Sequence, residues 1–185
     1  MRIISGTFKG KRILDPKDNK TRPLKDLTKE SIFNILAHSK KIKFKIEDSN
    51  ILDLFSGVGS FGIECLSRGA QRVTFIENYH GVLPILKRNL EGLKNIKNFE
   101  IITQDINKNL NFNNLNKKFD LIFLDPPYKE KKINLIIDII KKKKILCKNG
   151  ILIIHRHKKD DIIITNKINI LDQRNYGISK IIIGN

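Results

Sequence analysis

Asp53-Leu54-Phe55-Ser56-Gly57-Val58-Gly59-Ser60-Phe61-Gly62 decides the fold of this chain. The run Ile51 to Phe55 that leads into it reads as a buried strand, and Ser60 to Arg68 reads as a helix stopped by Gly69. A strand that turns through glycines directly into a helix is the opening unit of a parallel α/β sheet. Gly57 and Gly59 permit a tight turn and let a ligand approach the backbone closely. The G-x-G-x-x-G spacing by itself fits a dinucleotide site. Asp53 argues against NAD, because a carboxylate at the mouth of the loop repels a pyrophosphate. It would instead hold the ammonium of an amino acid, directly or through water.

Outward from this stretch, strands and helices alternate. Arg72 to Ile76 reads as a strand, Tyr79 to Leu93 as a helix, and Phe99 to Thr103 and Phe119 to Leu124 as strands. Ile133 to Ile140 reads as a helix and Ile151 to His155 as a strand. Ile162 to Ile164, Ile168 to Leu171 and Ser179 to Ile183 add late strands, with one antiparallel insertion near Gly177. The pattern implies an α/β fold, a mostly parallel sheet with helices on both faces. Before it, Arg2 to Ser5 and Lys11 to Leu14 flank a glycine-containing turn and read as a β-hairpin. Thr21-Arg22-Pro23 is a stiff connector, Asp26 to Ala37 an amphipathic helix, and Lys40 to Ser49 a charged link.

The chain has 185 residues and a formal net charge of +17, enough length for one domain and enough charge to point to a polyanionic partner. Most of the surplus is lysine in a sequence also rich in Ile and Asn, a bias that base composition of a genome can produce unaided. Lys141-Lys142-Lys143-Lys144 ends a helix and reads as a solvated face. Cys65 and Cys147 show no metal spacing and read as reduced thiols of a cytoplasmic protein. No signal peptide and no membrane span are read.

Four strand ends carry an acid: Asp53, Glu77, Asp105 and Asp125. Ligands of such sheets bind outside the carboxyl ends of the strands. Glu77 stands where a carboxylate chelates ribose hydroxyls. Asp105 can accept from an adenine amine with Ile106 against the ring, or can cap a helix from Asn107 onward. Asp125-Pro126-Pro127-Tyr128 ends its strand in a rigid loop with a carboxylate, two free carbonyls and an aromatic ring. That set suits a planar base with an exocyclic amine. A ligand combining an amino acid, a ribose and an adenine fits the row: S-adenosylmethionine.

The sequence resembles the RsmD family, bacterial 16S rRNA guanine-N2 methyltransferases of the class I S-adenosylmethionine-dependent type. The likeness rests on Met1-Arg2-Ile3-Ile4-Ser5-Gly6 with Lys9-Gly10-Lys11, and on Thr21-Arg22-Pro23 followed by Lys29-Glu30 and Phe33-Asn34-Ile35-Leu36. It continues through Asp53 to Gly59, Ser67-Arg68-Gly69-Ala70, Asp125 to Tyr128 and Arg174-Asn175-Tyr176-Gly177. It implies a Rossmann-like seven-stranded sheet with one antiparallel strand, in a single domain over 1–185. Residues 1–40 would form a hairpin and helix that help bind RNA, and 50–185 the cofactor-binding core.

The resemblance implies catalysis by Asp125, Pro126, Pro127 and Tyr128. It implies cofactor contacts from Asp53, Phe55, Gly57, Gly59, Glu77, Asn78, Asp105, Ile106 and Asp125. Arg2, Lys9, Lys11, Arg22 and Lys29 would grip phosphates of 16S rRNA in the small ribosomal subunit or its assembly intermediate. A monomer without a metal is expected. Leu24 stands where the family usually has threonine, Lys29 where it often has arginine, and His155-Arg156-His157 where it commonly starts with glutamate. His155 and His157 are therefore left out of the site. The rival readings are a DNA or RNA adenine-N6 methyltransferase and a non-catalytic RNA-binding protein on the same fold.

Overall fold

The structure is a computed structural model that describes residues 1–16, 18, 21–106, 112, 115, 117–160 and 166–185. Its elements run α1 (Asp26–His38), β1 (Asn50–Leu54), α2 (Ser60–Ser67), β2 (Arg72–Glu77), α3 (Leu83–Glu91) and β3 (Phe99–Thr103). They continue with β4 (Phe119–Leu124), α4 (Ile133–Lys142), β5 (Leu146–His157), β6 (Ile170–Tyr176) and β7 (Ser179–Gly184). Seven strands form one sheet in the order β3-β2-β1-β4-β5-β7-β6. β1 to β5 pair in parallel, and β7 runs antiparallel to both β5 and β6. This is the seven-stranded order that the resemblance implies, with β7 its one antiparallel strand.

Alternation along the strands sorts side chains into two cores. Ile51, Val73, Phe75, Leu121 and Phe123 face one cluster with Ile32 and Phe33 of α1, Phe61 of α2 and Leu86 of α3. Leu52, Leu54, Ile76, Ile122 and Leu124 face the other with Ile133, Ile136, Ile137 and Ile140 of α4. Helices thus cover both faces, and the strands read as continuous apolar runs because neither face meets water. Phe61 stacks between Phe33 and Phe123, at centroid distances of 5.2 and 4.0 Å. Gly62 allows α2 to lie against β2, since a Cβ there would fall 2.3 Å from the Phe75 ring.

Several boundaries differ from those expected. The N-terminal hairpin is reduced to one antiparallel bridge, Arg2 to Arg12, with Ile3 and Ile13 anchored in the core. Glu64, fully buried on α2, takes the backbone N–H groups of Ile4 and Ser5 at 2.7 and 2.9 Å and Nε of Arg68 at 2.8 Å. α3 starts at Leu83 rather than Tyr79, behind a turn in which Val82 donates to the Tyr79 carbonyl. Pro84 sits in its first turn, where a missing N–H is harmless. β6 extends to Tyr176 along the exposed edge of the sheet, where polar residues hide the strand from an apolar count. The expected strand Ile162 to Ile164 lies outside the described residues.

Candidate active site

Parallel register sets the ends of β1, β2 and β4 level, with β5 alongside: Leu54 pairs with Ile76 and with Leu124, and Leu124 with Ile154. The residues at or just past those ends open into a cavity of about 630 Å³. It is lined by Asp53, Phe55, Gly57, Glu77, Asn78, Asp105, Ile106 and Asp125 to Tyr128, and by Arg22 of the N-terminal connector. The size and the mix of apolar wall and few polar groups suit a ligand larger than one nucleobase. Gly59 is set back from this lining. Its φ of +84° makes it the left-handed residue before α2, where it shapes the turn. Phe55 also has a positive φ, 61°, a backbone state that is uncommon for an aromatic residue and turns the chain out of β1.

The carboxylates are held by backbone donors. Asp53 is buried and accepts the Gly62 N–H at 3.0 Å. Burial pushes its carboxyl well above the usual carboxylate range, and the nearby charges of Asp125 and Glu77 push the same way. Glu77 accepts the Gly57 N–H on one oxygen at 2.8 Å and those of Asn78 and Tyr79 on the other at 2.9 Å each. It is 9% exposed, so it is a built part of the glycine loop and not a solvated strand end. A carboxylate has about four acceptor directions, so three N–H groups leave room for a ribose hydroxyl. A desolvated group of three acids next to an apolar wall is a site for a ligand that carries positive charge.

Asp125 has two cationic or donor neighbours. Nη2 of Arg22 donates to Oδ1 at 2.6 Å, and Nδ1 of His155 lies 2.9 Å from the same oxygen. The Arg22 guanidinium also lies over the Tyr128 ring at 4.1 Å. Edges of Tyr128 meet His155 and His157 at 6.3 and 5.0 Å. Arg156 is 3% exposed and clamps the loop from behind. It donates to the carbonyls of Pro127, Tyr128 and Glu130 at 3.0, 2.9 and 3.0 Å and pairs with Asp160. Pro127 therefore does not offer the free carbonyl expected of it.

Residues 1–185 match the family described as Conserved hypothetical protein 95. Ribosomal RNA small subunit methyltransferase D of Buchnera aphidicola subsp. Acyrthosiphon pisum is 37% identical over 88% of this chain and 81% of its own length. The chain belongs to the RsmD family. The solved structure of HI0767 from Haemophilus influenzae superposes with a TM-score of 0.74 at 31% identity, covering 99% of this chain and 96% of that one. The solved complex of SMU.776 with SAH has a TM-score of 0.65 at 17% identity over 86% of this chain and 50% of that one, a likeness of fold.

Of the five basic residues assigned to RNA from the RsmD resemblance, two change role. Lys29 is fully buried: its Nζ donates to the Arg2 carbonyl at 2.7 Å and lies 3.8 Å from Glu64. Burial pulls its ammonium below the usual lysine value, with Glu64 and Asp26 pulling the other way. Lys29 therefore tethers the N-terminal segment and cannot grip a phosphate from that position. Arg22 is on Asp125 instead of on the outer surface. Arg2, Lys9 and Lys11 are exposed, with Lys11 donating to the Gly92 carbonyl. The helix cap expected of Asp105 falls beyond the described residues.

His155 and Arg156 were missed by the sequence reading. The parallel register of β5 beside β4, which neighbours along the chain do not show, brings the residue after Ile154 to the level of Asp125. Among the described residues no group of three or more His, Cys, Asp or Glu could hold a metal ion, and no helix is long and apolar enough to cross a membrane.

Replacing Glu77 by Ala strands three backbone donors, one of them fully buried. Both ligand affinity and folding should suffer, each by about 1.5–3 kcal/mol, and Glu77→Gln should recover part of each. Urea unfolding together with calorimetric titration reads the two; an unchanged unfolding midpoint in Glu77→Ala would refute the structural half.

Arg156→Ala should cost about 3 kcal/mol or more of stability, since it removes the buried partner of Asp160 and the guanidinium donors to the carbonyls of Tyr128 and Glu130. Arg156→Lys should recover little, because an ammonium cannot reproduce the fork. Equal stability of all three proteins in chemical unfolding would show that the loop holds itself.

Proposed function

We propose that this chain transfers a methyl group from S-adenosylmethionine to the exocyclic N2 amine of a guanine in 16S rRNA of the small ribosomal subunit. The observation that carries the reading is the meeting, in one cavity, of the Asp53 and Glu77 carboxylates with the Asp125-Pro126-Pro127-Tyr128 loop. S-adenosylmethionine, when bound, supplies a methyl group already activated on a sulfonium. Asp53 would take its ammonium and Glu77 a ribose hydroxyl. Asp105 and Ile106 would meet the adenine, with Phe55 and Asn78 closing the walls. The wall and donor set fit that molecule, because its ammonium would meet an acid, its ribose an acceptor with room to spare, and its flat ring Ile106.

Asp125 and the Pro126 carbonyl accept the amine protons and turn the nitrogen lone pair toward the methyl. No prior deprotonation is needed. After transfer the spare proton leaves to Asp125 or to water. Tyr128 supports the extruded base by stacking. Arg156 fixes the loop, so acceptor and ring arrive pre-positioned, and positioning provides much of the rate. Arg2, Lys9 and Lys11 provide exposed positive charge for phosphates, a term that weakens with salt.

Asp125→Ala should lower methyl transfer to small-subunit RNA at least about 100-fold, the loss typical of a positioned proton acceptor, while leaving cofactor affinity within a few-fold. Single-turnover transfer of a labelled methyl group and calorimetry separate the two. Near-normal turnover on saturating RNA would remove Asp125 from the chemistry.

The raised carboxyl of Asp53 predicts a pH dependence of cofactor binding. A proton held above the usual carboxylate range must leave before the carboxylate can hold an ammonium. Affinity should therefore rise with pH through a window above that range, with a proton released on binding. Asp53→Asn should bind more weakly and lose that slope. A wild-type affinity that is flat across the window would show that Asp53 does not meet the ammonium.

A further inference from the structure

Arg22 is poorly placed for a residue that only grips phosphates. Its Nη2 donates to Asp125 Oδ1 at 2.6 Å, and its planar head lies 4.1 Å from the centre of the Tyr128 ring. Those are the two contacts expected of the target base, amine protons on the carboxylate and a flat face on the aromatic ring. The chemistry also matches. The N1–C2(N2)–N3 edge of guanine is itself a guanidine, planar and delocalised, with N–H donors along one side. We propose that the Arg22 guanidinium sits in the seat of the target base and must swing out for the base to enter. For the identity of the incoming group, this rests on the guanine reading above.

The fit of the guanidinium is incomplete. Arg22 Nε, Tyr128 Oη and His155 Nε2 are buried without a hydrogen-bond partner, an expensive state for polar groups. A guanidinium offers donors only. A purine adds ring nitrogens, and guanine a carbonyl, so it can pair groups that Arg22 leaves unpaired. The resident contact is also light enough to break. The Arg22 side chain keeps 31% exposure, and an ion pair of that kind competes with water. Pro23 restrains the backbone just after it, so the movement belongs to the side chain. Once displaced, the guanidinium can meet a phosphate next to the extruded nucleotide. Base entry and phosphate grip are thereby coupled in one residue, and a base that cannot displace Arg22 is not admitted.

The test uses 2-aminopurine riboside, a fluorescent nucleoside that carries the exocyclic 2-amine, titrated with the 185-residue chain. The chain contains no Trp, which leaves the emission window clear. Arg22→Ala should bind the probe roughly tenfold more tightly than the wild type, the factor that a partly exposed ion pair and a cation–π contact together supply. Arg22→Lys, which keeps the charge but lacks the planar fork, should also gain and guards against a folding failure in the Ala variant. Millimolar guanidinium chloride should displace the probe from Arg22→Ala and leave wild-type binding unchanged. Tyr128→Ala should abolish the gain in the Arg22→Ala background. Equal or weaker probe binding in both Arg22 variants would overturn the proposal, because Arg22 would then be a support of the bound base. If adenosine displaces the probe from Arg22→Ala and guanosine does not, the displaceable seat stands and the guanine assignment falls.

Discussion

Three carboxylates, those of Asp53, Glu77 and Asp125, share one desolvated cavity, and the need to satisfy them away from water is the constraint that organises this chain. Burial and the neighbouring charges of Asp125 and Glu77 hold the Asp53 carboxyl well above its usual range. The fold answers each acid differently. Asp53 receives a helix N–H, Glu77 three loop N–H groups, and Asp125 a guanidinium and an imidazole. Parallel strands in register make the grouping unavoidable, since they end at one level. The charge left over is what a cationic methyl donor would relieve.

A second buried carboxylate organises the other side of α2. Glu64 collects Ile4, Ser5, Arg68 and Lys29, and so fastens the N-terminal segment to the sheet. That attachment matters for function because the same segment delivers Arg22 to Asp125. Arg156 plays the matching part on the far side, holding the carbonyls of the Pro-Pro loop. The loop that carries acceptor and ring is thus held by Arg156, and the N-terminal segment by a buried glutamate far away in sequence.

What was legible in the sequence was local. The glycine loop, the acids that end β1, β2 and β4, and the rigid Asp-Pro-Pro-Tyr turn follow from neighbours along the chain. The two-faced apolar strands gave the sheet and its helices in order. The roles of Lys29, Glu64, His155 and Arg156 depend on partners across the fold. Lys29 looks like one more surface lysine until Glu64 is set beside it. His155 and Arg156 gain meaning only from the register of β5 with β4. β6 was cut short because an edge strand can be polar and still be paired on its inner side.

The central claim is that this cavity brings a methyl donor to the N2 amine of a guanine. Mass spectrometry of nucleosides from small-subunit RNA, treated with the protein and isotopically labelled S-adenosylmethionine, tests it most directly. The account predicts that the label appears in N2-methylguanosine and is absent from adenosine and cytidine. Label in N6-methyladenosine, or none in any nucleoside of RNA or subunits taken from cells lacking the gene, would contradict it.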